Sequence, residues 1–61
     1  MTEDLAFKLI SSKVIRGIKV VNDYSASTSE ARVRLFDNKG AMVHEEIALG
    51  VSENYARGAA A

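Results

Sequence analysis

Cysteine, proline and tryptophan are all missing from this 61-residue chain, and histidine occurs once, as His44. Without cysteine there are no disulfides, no thiolate zinc sites and no thiol redox chemistry. A single histidine argues against a histidine-based metal cage within one chain. No metal site and no cofactor are therefore predicted. The longest unbroken apolar stretches are two or three residues, far short of a membrane span. The opening "MTEDLAFKLI" carries acids where a secretory n-region needs positive charge. Together with the missing cysteine, this predicts a cytoplasmic protein that does not engage a membrane.

A charge excess is absent too. Eight basic residues balance eight acidic ones, whereas general nucleic-acid affinity usually shows as a surplus of Lys and Arg. The balance is uneven along the chain. Lys8, Lys13, Arg16 and Lys19 fall between Asp4 and Asp23 with no acid among them. There is no glycine-rich phosphate loop, because the four glycines are isolated singles. No repeat and no linker divides the chain, so one small α+β domain over residues 1–51 is expected, followed by a short helical turn and flexible tail over 52–61.

A chain this short buries only about 60% of the surface its unfolded form exposes. Small domains offset that with disulfides, a metal or self-association, and only the last remains here. A homodimer, or an obligate protein partner, follows by elimination.

The clearest local signal is "ARVRLFDNKGAMVHEEIAL". Two alternating runs flank the turn "DNKG" and predict a β-hairpin. Asp37 suits the first position of a type I turn, and Gly40 can take the positive φ that closes it. That register sets Leu35 opposite Val43, Val33 opposite Glu45 and Ala31 opposite Ile47. Arg32, Arg34, His44 and Glu46 then share a charged face, with Phe36 and Met42 beside the turn. Glu45 is left on the apolar face, either at a sheet margin or as the sign of a register one residue away.

Upstream, "VIRGIKVV" is rich in β-branched residues and predicts a strand, with Gly17 marking a bulge or close backbone contact. The polar stretch "NDYSASTSEA" leads on to the hairpin. The first dozen residues fit two patterns. Thr2, Glu3 and Asp4 suit the start of a helix, and Ala6, Leu9, Ile10 and Val14 recur at helical spacing. Leu5, Phe7 and Leu9 also alternate as a strand would. A short helix over residues 3–12, covering a three-stranded antiparallel meander, is the architecture predicted.

Three features could carry function. His44 is the one side chain with an ordinary pKa near neutrality, but a general base needs a concave site, a nucleophile and an orienting partner. Glu45 and Glu46 are adjacent in a strand and point to opposite faces, so they form no carboxylate pair. A non-catalytic protein is expected. Phe36 and Met42 form an apolar tip suited to contact with a partner subunit or target. Arg32 and Arg34, with Lys19 beside them, suggest the alternative of a dimeric β-ribbon that enters a DNA groove. The four aromatic residues Phe7, Tyr24, Phe36 and Tyr55 are too scattered to make a stacking platform. A small binding or regulatory protein acting through protein–protein contact is the leading expectation.

The final residues "SENYARGAAA" hold one resemblance. Glu53, Asn54, Tyr55 and Ala56, with Ala60 and Ala61 at the end, resemble the degradation tag that bacterial trans-translation appends to stalled chains. Arg57, Gly58 and Ala59 stand where that tag has a single leucine. The resemblance covers about nine residues and none of the body. It implies recognition of the small apolar C-terminus by an unfoldase of the ClpX type, and of the Glu-Asn-Tyr segment by its adaptor. A vector-encoded tail and an ordinary loose terminus are the competing readings of the same residues.

Overall fold

Residues 7–60 are described by the computed structural model. Four antiparallel strands, β1 (Phe7–Ile15), β2 (Ile18–Ser25), β3 (Glu30–Phe36) and β4 (Met42–Leu49), form one sheet in the order β1-β2-β3-β4. Helix α1 (Glu53–Ala60) follows the last strand. The expected α+β class holds, but the expected arrangement does not. The sheet has four strands instead of three, and residues 7–12 of the anticipated N-terminal helix are strand. The remainder of that anticipated helix, residues 3–6, lies outside the described residues.

The extra strand arises from a turn that the sequence half conceals. Arg16 and Gly17 both have positive φ, at 52° and 83°, and Ile15 pairs directly with Ile18. This is a two-residue hairpin loop with both central residues left-handed, matched to the twist of the flanking strands. "VIRGIKVV" is therefore two strands rather than one. Gly17 sits in the turn, not in a mid-strand bulge. Once β1 pairs with β2, the alternation of Phe7 and Leu9 outweighs the helical spacing. The actual irregularity in this pair falls between Leu9 and Ser11.

The second hairpin turn is built as its chemistry requires. The Gly40 amide donates to the Asp37 carbonyl at 3.0 Å, and Gly40 has φ 87°. The Asp37 carboxylate accepts from the amides of Lys39 (2.9 Å) and Ala41 (3.0 Å), which fixes the loop. Beyond the turn the register differs from expectation. Phe36 pairs with Met42 but Leu35 pairs with His44, leaving Val43 as a bulged extra residue. Val33 then faces Glu46 and Ala31 faces Ala48. A one-residue slip moves every later side chain to the other face. Glu45 and Ile47 thus join Arg34 and Arg32, while His44 and Glu46 join Leu35 and Val33.

The helix covers one face. Ser52 caps it, its hydroxyl accepting from the Tyr55 amide at 3.1 Å. Ala56 and Ala60, one turn apart, are buried against the sheet, where their small side chains permit close approach. Polar ties fasten both ends. Tyr24 donates its hydroxyl to the Val51 carbonyl at 2.7 Å, Lys8 pairs with Glu53 at 3.1 Å, and the Lys13 ammonium donates to the Ala60 carbonyl at 3.0 Å. The segment expected to be a single turn and a loose tail is a docked helix of 8 residues. Among the described residues, no helix is long and apolar enough to cross a membrane.

Candidate binding face of the sheet

Strand alternation and the observed register assign each side chain to a face. The helix side carries Lys8, Ser11, Lys13, Ile15, Ile18, Val20, Asn22, Tyr24, Ala31, Val33, Leu35, His44, Glu46 and Ala48. The opposite face reads, strand by strand, as Phe7, Leu9, Ser12 and Val14 on β1, then Lys19, Val21, Asp23 and Ser25 on β2. It continues with Glu30, Arg32, Arg34 and Phe36 on β3, and Met42, Glu45, Ile47 and Leu49 on β4. No element among the described residues packs over this second face.

Its centre is polar and tightly organised. Asp23 and Arg32 are register partners, 5% and 8% exposed. One carboxylate oxygen, Oδ2, accepts from the guanidinium of Arg32 at 2.5 Å and from that of Arg34 at 2.8 Å. The Arg32 guanidinium stacks over the Phe7 ring, 4.0 Å from its centroid, and Arg34 lies 5.8 Å from the Phe36 centroid. Such stacking suits the planar, weakly hydrated arginine head group. A shallow cleft of about 320 Å³ opens between Phe7, Leu9, Val21 and this cluster.

The margin is apolar. Leu9, Val14, Met42, Ile47 and Leu49 all project from this face and are half to two-thirds or more exposed, with Leu9 at 62% and Leu49 at 71%. On the same two edge strands the helix-side positions are Lys8, Ser11, Lys13, Ile15, His44, Glu46 and Ala48, which are mostly polar or small. Alternation in a half-solvated sheet puts the apolar set on the covered face. Here the edge strands do the reverse.

The predicted site residues separate accordingly. Phe36 and Met42 are register partners on the open face, Phe36 half-buried and Met42 51% exposed. Lys19, Arg32 and Arg34 share that face, but both guanidiniums are held by Asp23. Among the described residues, three cations (Lys19, Arg32, Arg34) meet three acids (Asp23, Glu30, Glu45) on this face, which balance. Asp23 was not anticipated as a site residue. Its signal lies in the register, since only pairing β2 with β3 brings it between the two arginines. His44 lies on the helix side, its Nε2 at 3.2 Å from Glu46 and both side chains well exposed. The tag-like residues Glu53, Asn54, Tyr55 and Ala56 make up the first turn of α1, and Ala60 is buried at its far end; Ala61 lies outside the described residues.

The acidity of Glu53 is clearly displaced. A hydrogen bond from Lys8 holds its carboxyl below the usual carboxylate range, and Arg57, one helical turn on, adds to this. No group of three or more potential metal-binding side chains occurs among the described residues. No family model, no curated protein and no solved structure matches the chain.

Proposed function

We propose that this chain is a small non-catalytic binding or regulatory module that works through protein–protein contact, with the open face of its sheet as the contact surface. The observation that carries the reading is the set of five large apolar side chains, Leu9, Val14, Met42, Ile47 and Leu49, exposed together on that face. Protein interfaces are enriched in aromatic residues, methionine and arginine, and Phe7, Phe36, Met42, Arg32 and Arg34 all lie on this face. Large apolar side chains exposed along both edges of one face of a small chain are otherwise an aggregation hazard. A reducing, cytoplasmic setting suits a sequence without cysteine.

A DNA-binding ribbon built on Lys19, Arg32 and Arg34 has less behind it. Asp23 occupies both guanidiniums, and a charge-balanced face lacks the counterion release that drives duplex binding. Binding to random duplex should be absent at low ionic strength.

Met42 supplies the test. In lysate of the source cell, peroxide oxidation of Met42 should be several times slower than in the same chain unfolded in urea, well beyond the twofold that its 51% exposure in the free chain allows. Oxidation at half the unfolded rate or faster would mean that nothing covers the face, and the reading would fall.

A further inference from the structure

We infer that the occupant of the open face is a second copy of this chain, related by a two-fold axis that runs parallel to the strands between β2 and β3. The inference rests on the contact-surface reading above and specifies its partner.

The argument begins with what each symmetry would bring together. A two-fold interface sets the same patch against itself. Two sheets packed face to face keep their strands roughly aligned, about 10 Å apart. With the axis along the strands, β2 of one copy lies over β3 of the other, and β1 lies over β4. Leu9 then meets Ile47 of the second copy, Val14 meets Met42, and Phe7 meets Leu49. In the centre Asp23 lies over Arg32, and Lys19 lies over the ring of Phe36. The apolar margins cover each other and Asp23 faces Arg32, while Val21 lies over Arg34, Ser12 over Glu45 and Ser25 over Glu30.

The other alignment, with the axis across the strands, places each strand on its own equivalent. Arg32 would then lie over Arg34 of the second copy, twice. Ile47 would lie over Glu45, and Leu9 over Ser12. Like charges and buried carboxylates against aliphatic groups are costly where water is excluded. The first axis thus joins Asp23 to Arg32 and apolar edge to apolar edge, and avoids the contact of Arg32 with Arg34 that the second imposes twice.

Charge balance points the same way. A strongly charged partner would leave the balanced set of Lys19, Arg32, Arg34, Asp23, Glu30 and Glu45 unmatched, whereas an identical face does not. Size is adequate too. Four strands about 4.8 Å apart and eight residues long at about 3.3 Å per residue give a footprint of roughly 500 Å². Two such faces bury about 1,000 Å² before side-chain relief is counted, the threshold for a specific interface. The product is a four-layer helix–sheet–sheet–helix particle. It would give the chain a larger apolar core than it has alone, since Val21, Tyr24, Ala56 and Ala60 are the only buried apolar side chains among the described residues.

The absence of native cysteine makes the geometry testable with single reporters. Full-length Leu9→Cys and Ile47→Cys chains, carrying different mass labels, are mixed and treated with a short bis-maleimide. Both side chains are at least half exposed in the single chain, so neither change should cost the fold. Val14→Cys with Met42→Cys provides a second pair. The expected result is a dimer by sedimentation equilibrium and a cross-link between unlike variants in large excess over either variant alone. A Leu9→Cys chain that links to itself would indicate the axis across the strands and overturn the inference. A dimer that links neither pair would place the interface elsewhere and overturn it as well. A monomer at micromolar concentration would also overturn it. If Met42 is nevertheless protected in lysate, the contact-surface reading stands with a different protein as partner.

Discussion

Asp23 on β2 and Arg32 on β3 are direct cross-strand partners joined by a 2.5 Å hydrogen bond, and both are more than nine-tenths buried. The same carboxylate oxygen also holds Arg34, so one acid is shared by two guanidiniums near the middle of the sheet. Removing one member of a buried ion pair strands the other's charge, which typically costs about 3–5 kcal/mol. Asp23→Ala should therefore lower urea stability by that amount, close to the whole stability of a small domain. Arg34→Ala should cost only about 1 kcal/mol, because its side chain is 27% exposed and solvent screens its charge. Equal losses for the two variants would show that Asp23 is not the centre of the cluster.

The β1–β2 turn makes a separate prediction. Arg16 holds a left-handed conformation without glycine's freedom, at a cost of roughly 1 kcal/mol relative to residues that tolerate it. Arg16→Asn should stabilise the chain by about 0.5–1 kcal/mol, asparagine being preferred at this turn position. Gly17→Ala should destabilise by about 1 kcal/mol through φ alone, because a Cβ there would meet no neighbouring atom. Thermal midpoints moving in the same direction for both variants would contradict a turn with two left-handed residues.

What was legible in the sequence follows from how local each signal is. The Asp37–Gly40 turn could be read because its carboxylate and its glycine act within five residues. The Arg16–Gly17 turn was hidden because arginine is not one of the residues that advertise positive φ, so two strands read as one. The Val43 bulge is not encoded by alternation. It is visible only as the misplacement of Glu45, which a one-residue slip resolves. Helix α1 was underread for a different reason. Its alanines have little intrinsic burial value, and they become informative only when β1 and β2 supply Lys8, Lys13 and Tyr24 to hold the helix down. The open face was least legible of all, because it needs the register of all three strand pairs at once.

Docking of α1 depends on its first turn. The Ser52 hydroxyl accepts from the Tyr55 amide, and its carbonyl accepts from Ala56. Ser52→Ala should cost about 1 kcal/mol. Amide exchange should quicken in residues 54–60 while β2 and β3 stay protected, since the loss is local to the helix. Uniform acceleration across the sheet would show that helix and sheet open as one unit.

Acid should loosen the same helix by a second route. The folded state holds Glu53 below its ordinary acidity through hydrogen bonds from Lys8 and Arg57. A carboxyl depressed in the folded chain contributes stability that is fully present above its unfolded pKa, about 4.3 for glutamate. That contribution is lost as pH falls through the lower, folded value. Helix docking should accordingly weaken below about pH 4, as the Lys8–Glu53 tie to β1 is released by protonation. Neutral Glu53→Gln should start from weaker docking at neutral pH and show a smaller further change on acidification. The readout is exchange of the Arg57 and Ala60 amides, compared between wild type and variant at each pH so that acid effects elsewhere cancel. Parallel curves for the two proteins would remove Glu53 as the titrating group and leave the helix anchored by Lys13, Tyr24 and its buried alanines alone.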